Sequence, residues 1–567
     1  MKFTLLPLFL NVLRLCASQP IVHEKDTGVS YIGSVNDGVE EFLSIRYGLD
    51  TGGQHRFKPP RKYEAERGLE VDTTQEGPAC PQPEHPMSGD PYSVVNNPSE
   101  DCLFLRVARP AGTKGHDKLP VMVWIYGGGH MVGNIYDVSY QPAGLVNNSV
   151  NSGNPVIYVA INHRVNVFGY PLSDAVLDGG DGTRANLGLR DQRLGMQWIK
   201  EHISAFGGDP DNITVFGEDA GASDIGLHIA GGHTPFRRAI AQSGSSLSPW
   251  AVRHDASRGH FAEVVARIGC VSGSPQFWYS LNCMRQFTME QVLDVTFDLA
   301  WFIEPSNGFH VFGPAIDNDI VFDKTAPQHQ NVLSTKTVDY MTGWNMDELS
   351  MDVPTSIQTI SQAAAWIGQR YPQLIEPIAL MVLYVYTEVD YARRSICPKE
   401  VSTAWCTLSR ALRDIEVACP SLRQASDLYE SSKGQSSVYL YELNQTAFAP
   451  TLEQNGKAYL GVTHFSDVPY VFNELQTAYY VSDPKEIKLA ESISRGWASF
   501  ATHGAPDEKW KWPQAVEDDV SAEANIESKR IAVEVLGGPS HGPREMVFKE
   551  KRRCQYIDSM VHFFTRA

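Results

Sequence analysis

Two glycines four residues apart, Gly217 and Gly221, frame Asp219 in the stretch Thr214-Val-Phe-Gly217-Glu218-Asp219-Ala220-Gly221-Ala222-Ser223. The stretch reads as the end of a strand, a sharp turn and the start of a helix. A turn this tight leaves no room for a side chain at either glycine, so strand and helix can approach closely there. The framed residue is forced out at the strand's end. A chain that carries this turn must set a strand beside a helix and put Asp219 at the corner.

The flanking pattern extends that corner into a sheet. Val121-Met-Val-Trp-Ile-Tyr126 is a continuous apolar run between Pro120 and Gly127, as expected of a strand buried on both faces. It ends in Gly127-Gly128-Gly129-His130. A second buried run is Val156-Ile-Tyr-Val-Ala-Ile161. Leu187, Leu194, Trp198 and Ile199 recur at near-helical spacing and predict a helix over 187–203. Ile213-Thr-Val-Phe216 then feeds the turn. Strand, helix and strand at this rhythm mean a parallel sheet with crossovers. Further strands are expected at Val29-Ser-Tyr-Ile-Gly33, Phe42-Leu-Ser-Ile-Arg-Tyr47, Leu103-Phe-Leu-Arg-Val107, Arg238-Ala-Ile-Ala-Gln242, Thr337-Val-Asp-Tyr-Met-Thr342 and Ser437-Val-Tyr-Leu-Tyr-Glu442. Residues 350–433 read as helical, and helices inserted over the carboxyl edge of a sheet would shape a pocket.

The chain has 567 residues and a net charge of −18. The length suits a large α/β domain with insertions. The acidic surface argues against nucleic acid and against an anionic membrane as partner. Residues 1–18 resemble a secretory signal, with Lys2, an apolar run from Phe3 to Leu15, and Cys16-Ala17-Ser18 at its end. The expectation is therefore a secreted chain with one domain over 19–567. No other segment has the ~20 apolar residues of a membrane helix, and the C-terminus is too short and polar for an anchor. Eight cysteines follow the leader, with no C-x₂-C pair to suggest zinc, so disulfides are expected. Asn147, Asn212 and Asn444 stand in glycosylation sequons; Asn97 is excluded by Pro98.

At this point the motifs join into one pattern. Ser99-Glu-Asp-Cys-Leu-Phe-Leu105, Gly127-Gly-Gly129, Asn186-Leu-Gly-Leu-Arg-Asp-Gln-Arg193, Phe206-Gly-Gly-Asp-Pro210, Gln242-Ser-Gly-Ser245, Phe312-Gly-Pro-Ala-Ile-Asp317, Gly461-Val-Thr-His-Phe465 and Arg553-Cys-Gln-Tyr-Ile-Asp-Ser559 stand in order along the chain. In this the chain resembles the type-B carboxylesterase/lipase family, which includes secreted fungal esterases and lipases, cholinesterases and neuroligin-type adhesion proteins. The resemblance implies an α/β-hydrolase fold: a mostly parallel central sheet, helices on both faces and helical insertions over the pocket. It puts the catalytic acid at Glu348 in Gly343-Trp-Asn-Met-Asp-Glu348 and the histidine at His464. It makes the backbone N–H groups of Gly128, Gly129 and Ala220 the oxyanion donors. It pairs Cys80 with Cys102 and Cys270 with Cys283. Cys397, Cys406, Cys419 and Cys554 keep three possible connectivities. The chain departs from the family in three places. Asp219 stands for the nucleophilic serine, Leu349 for a glycine, and His130 for an aromatic residue, so that its ring is expected to face the pocket.

An aspartate at this corner changes the chemistry. Attack on an ester carbonyl would give a tetrahedral adduct that must expel either a carboxylate of pKa ~4 or an alkoxide of pKa ~16. Return to substrate is then favoured by ~16 kcal/mol, before any help from a general acid. Attack on a saturated carbon is different: it gives an ester of Asp219, which water activated by His464 could hydrolyse. Acid–base work by Asp219 and His464 is a third option. The sequence thus predicts a hydrolase-like protein acting on a small hydrophobic organic substrate, with Asp219, Glu348 and His464 in the triad positions and chemistry other than serine's. The alternative is an inactive binding or adhesion protein of neuroligin type. No cofactor or metal is expected, and nothing in the sequence sets the oligomeric state.

Overall fold

The computed structural model describes residues 19–84, 94–179, 181–252, 254–270, 278–303, 310–323, 337–390, 397–476, 481–507, 512–517 and 530–560. The expected leader, 1–18, and the C-terminal residues 561–567 lie outside them.

A 12-stranded sheet runs through the molecule. In chain order its strands are β1 (Ser34–Asn36), β2 (Val39–Arg46), β3 (Phe104–Pro110), β4 (Leu119–Ile125), β5 (Ile157–Ile161), β6 (Gly208–Glu218), β7 (Arg238–Gln242), β8 (Asp339–Asn345), β9 (Val438–Leu443), β10 (Val516–Glu517), β11 (Arg530–Leu536) and β12 (Gly542–Glu545). In space the order is β10-β11-β9-β8-β7-β6-β4-β5-β3-β2-β1, with β12 on β11. The seven strands from β11 to β5 in that order are joined by parallel ladders. The outer pairs are antiparallel. A smaller sheet of three strands pairs Ile21–His23, Ser30–Ile32 and Glu70–Asp72.

Side-chain alternation explains why the central runs are apolar throughout. On β4, Val121, Val123 and Ile125 enter a core that also holds Met196, Trp198 and Ile199 of the helix Leu187–His202. Met122 and Trp124 enter the opposite core with Phe472 and Trp497. Both faces are covered, so no position on the strand favours a polar residue.

Four disulfides cross-link the chain, and Cys80, Cys102, Cys419 and Cys554 lie within the main core. Cys80–Cys102 and Cys270–Cys283 form as expected. Of the three connectivities open for the remainder, the structure shows Cys397–Cys406 and Cys419–Cys554. The last ties the helix Cys419–Ser431 to the helix Phe548–Ser559.

Candidate active site

Strand β6 ends at Glu218 and the chain turns at Asp219 with φ 54° and ψ −119° before the helix Ala220–Ala230 begins. A non-glycine residue rarely adopts this conformation, and strain of this kind marks functional corners. The two glycines are obligatory. A Cβ on Gly221 would lie 2.0 Å from the Ile125 carbonyl oxygen, and one on Gly217 would lie 2.5 Å from the same atom. The Asp219 N–H donates to the Gln242 carbonyl at 3.0 Å, which anchors the corner to β7.

The Asp219 carboxylate does not project into free space. Its Oδ2 accepts from the N–H of Gly128 at 3.0 Å and of Gly129 at 2.7 Å. Gly128, Gly129 and His130 all have positive φ, and this left-handed run gathers the amides on one side. Burial alone would raise the Asp219 pKa. The nearby His310 and His464 rings and the amides of Gly129 and Ala220 outweigh burial and hold it below the ordinary aspartate range.

His464 stands beside this carboxylate. Its N–H donates to the Glu348 carbonyl at 2.9 Å, and its Nδ1 lies 2.6 Å from Glu348 Oε2. Glu348 is fully buried and held on its other oxygen, where Oε1 accepts from the Asn345 N–H and from Ser243 Oγ, each at 2.6 Å. Leu349, in place of a glycine, therefore leaves the acid in contact with the histidine. The other face of the imidazole carries two more acids. His464 Nε2 is 3.0 Å from Glu218 Oε1 and 3.8 Å from Asp219 Oδ1. Burial would depress the histidine, but Glu218 and Glu348 win and raise it well above its usual value. Glu218 itself is pushed well up, mainly by burial and also by the neighbouring Asp219, Asp467 and Glu348. Asp467 completes the group, its Oδ2 accepting from Gln242 Nε2 and the Tyr441 hydroxyl, each at 2.9 Å.

His130 takes a different place from the one its position suggested. Its ring is buried and turned onto Asp224, with Nε2 at 2.9 Å from Oδ1. Asp224 also accepts from Gln192, whose Oε1 lies 2.8 Å from His228 Nε2. The residue after Gly129 is thus tied to two helices rather than offered to a ligand.

The chain as a whole has known relatives. The carboxylesterase family model matches residues 27–534. The chain belongs to the carboxylesterase family. It is 47% identical over 495 residues to the inactive carboxylesterase-like protein VdtD of Byssochlamys spectabilis, covering 86% of this chain and 84% of that one. It is 30% identical over 585 residues to a secreted lipase of Arthroderma benhamiae, covering 99% and 98% of the two chains. It is 28% identical over 542 residues to the acetylcholinesterase of Electrophorus electricus, covering 83% and 79%. The mostly parallel sheet flanked by helices is the α/β-hydrolase fold of that family.

Within this carboxylesterase scaffold the structure adds residues that sequence reasoning missed. Glu218 adjoins the corner and could have been flagged by that adjacency alone. Ser243 stands in the Gln242-Ser-Gly-Ser245 motif, yet nothing local marks it as a partner of Glu348, and Asp467 gave no signal, because each reaches the site from a different strand or loop. Asn147, Asn212 and Asn444 are partly exposed, and Asn147 Nδ2 donates to the Asp37 carbonyl at 2.8 Å. No helix among the described residues is long and apolar enough to cross a membrane.

Proposed function

We propose that this carboxylesterase-family protein holds a small hydrophobic organic molecule at the carboxyl edge of its sheet and does not hydrolyse esters by a serine-type cycle. One observation carries the reading: Asp219 Oδ2 rests on the N–H groups of Gly128 and Gly129. Those amides are where a hydrolase would place the oxygen of its tetrahedral intermediate. An ester carbonyl cannot enter while the protein's own carboxylate fills the position. The leaving-group order argues the same way, since an Asp219 adduct would expel the carboxylate before the alkoxide. The description of the Byssochlamys relative as inactive supports the reading too. In this role Asp219, Glu348 and His464 keep the triad positions without the serine reaction, and Gly128, Gly129 and Ala220 serve the internal carboxylate. The protein is secreted after loss of residues 1–18, folds as one domain over 19–567, and carries glycans at Asn147, Asn212 and Asn444. The four disulfides and the secreted lipase relative support that route.

A second reading draws on a separate detail. Asp219 Oδ1 is the oxygen nearer His464, at 3.8 Å from Nε2, while Oδ2 holds the amides. That split suits a carboxylate attacking a saturated carbon, with the ester carbonyl left in the oxyanion position. The test compares wild type, Asp219→Asn and His464→Gln on aryl esters and on aryl epoxides. Binding without turnover, with affinity kept in Asp219→Asn, is the expected result. A covalent adduct on Asp219, trapped in His464→Gln and seen by mass spectrometry, would establish the second reading. Ester turnover by wild type that a serine-directed phosphonate abolishes would refute both.

A further inference from the structure

Glu218 is fully buried, and neither of its carboxylate oxygens accepts a hydrogen bond among the described residues. A buried carboxylate left in this state is costly unless a cation faces it. The one basic side chain within 4.0 Å of it among the described residues is His464. Asp219, Glu348 and Asp467 are buried around the same imidazole, and no Arg or Lys lies within 4.0 Å of any of the four acids among the described residues. Glu218, Glu348 and Asp467 therefore gather around this one ring, and Asp219 has the His310 ring nearby as well. Glu348 takes the Nδ1 side of the His464 ring, so the opposite nitrogen, Nε2, faces Glu218 and Asp219 with its lone pair or with a single proton.

We propose that Glu218, Asp219 and His464 form a site for a divalent transition-metal ion of the Zn²⁺ class. One ligand atom from each residue can be chosen so that all three lie within 4.8 Å of one another. Ligands ~2.1 Å from a tetrahedral ion are about 3.4 Å apart. The separations from His464 Nε2, 3.0 Å to Glu218 and 3.8 Å to Asp219, bracket that value. The atoms are also chemically apt: an imidazole nitrogen and two carboxylate oxygens suit zinc and its neighbours better than calcium. Asp219 contributes Oδ1, because Oδ2 is already held by the two glycine amides. Glu348 fills the outer position usual for a metal-bound histidine, accepting from Nδ1 and fixing the ring. The His464 side chain is 26% exposed, which gives an ion a way in and leaves a coordination position open toward solvent. The inference goes beyond the binding role proposed above and stands or falls separately from it, because metal uptake is measured with no organic ligand present.

The test uses the full secreted protein, stripped with a chelator and titrated with Zn²⁺ at neutral pH by calorimetry, with Mn²⁺ and Ca²⁺ in parallel. One Zn²⁺ per chain is expected, binding more tightly than Mn²⁺, with no Ca²⁺ uptake and with a rise in melting temperature on Zn²⁺ addition. Glu218→Gln and Asp219→Asn, checked for folding by circular dichroism, should each weaken Zn²⁺ about ten-fold or more, and Glu348→Gln about 10- to 100-fold. If Glu218→Gln fails to fold, the visible spectrum of Co²⁺-loaded wild type decides. Intense bands of a four- or five-coordinate ion support the site, and a weak octahedral spectrum overturns it. Uptake far below one equivalent overturns the proposal, as does uptake that survives in every folded variant.

Discussion

Replacing Asp219 by serine tests the central claim, because it changes two things at once. A serine hydroxyl ends one bond beyond Cβ, whereas the aspartate oxygens end two bonds beyond it. Serine therefore cannot reach the Gly128 and Gly129 amides as Oδ2 does at 3.0 and 2.7 Å, and the oxyanion position empties. Each donor of that kind is worth ~10²–10³ in rate, or about 3–4 kcal/mol. The substitution also restores an order of leaving groups in which alcohol departs. Against these gains stands the position of His464. Its Nε2 is 3.0 Å from Glu218 and 3.8 Å from the nearer Asp219 oxygen, while a working base needs its hydroxyl within ~2.6–3.2 Å. A misplacement of ~1 Å costs ~10². With two donors freed and ~10² lost to misplacement, the net expectation for Asp219→Ser is a rise of about 10²–10⁴ over wild type.

The assay is hydrolysis of short-chain aryl esters, run with chelator present, with Asp219→Ala as the control. Alanine empties the same position and supplies no nucleophile, so it should stay near wild-type background. A phosphonate should then label Asp219→Ser and leave both wild type and Asp219→Ala unmodified, which mass spectrometry reads directly. Folded Asp219→Ser that turns over no faster than Asp219→Ala would refute the argument that the rest of the machinery is intact. Rapid, phosphonate-sensitive turnover by wild type would refute the claim that Asp219 blocks it.

Three other predictions test the scaffold. Gly221→Ala should abolish secretion of folded protein, since its Cβ would lie 2.0 Å from a backbone oxygen; Gly259→Ala, with nothing within 4 Å, should secrete normally. Removing Cys419–Cys554, whose partners are 135 residues apart, should cost about 5 kcal/mol in denaturant unfolding, against about 3 for Cys397–Cys406, 9 apart; equal costs would contradict the loop-entropy account. Glu534 is buried and its pKa is raised from 4.5 to about 7 by desolvation, so the folded state loses stability as pH rises from 4.5 through 7. Glu534→Gln should therefore stabilise the protein by about 2–3 kcal/mol at pH 8 and by little at pH 5 in paired melting curves, and an equal effect at both would exclude the burial cause.

The parts of the fold legible in the sequence were those set by local pattern. The run at β4 announces itself because both of its faces are covered, so six consecutive apolar residues are required. Strand ends were less legible wherever turn-type residues sit inside a ladder. Residues 337–342 read as a strand ending before Gly343, yet β8 runs on to Asn345. Gly343 is there because the Tyr441 ring of β9 lies 2.3 Å from where its Cβ would be. A glycine that reads as a breaker is in fact the vacancy that lets a neighbouring aromatic pack. Strand β6 likewise starts at Gly208, through Asp209 and Pro210, where composition alone suggests a loop.

At the site, the line between legible and hidden is drawn by distance along the chain. The corner, the triglycine and the missing serine are each contained within a few residues. The contact between Glu348 and His464 spans 116 positions and was reached only through the family resemblance. What no local reading supplies is where the Asp219 carboxylate goes once it replaces a hydroxyl. An esterase site is built to prefer an oxyanion at two glycine amides. Here the protein delivers a permanent one from its own chain, at a distance fixed by covalent geometry and at no translational cost. The preference that would have stabilised a transition state thus stabilises a resting side chain instead. Gly128, Gly129, Glu348 and His464 in these places therefore agree with the proposal that the anion-binding strength of the site serves Asp219 rather than an ester substrate.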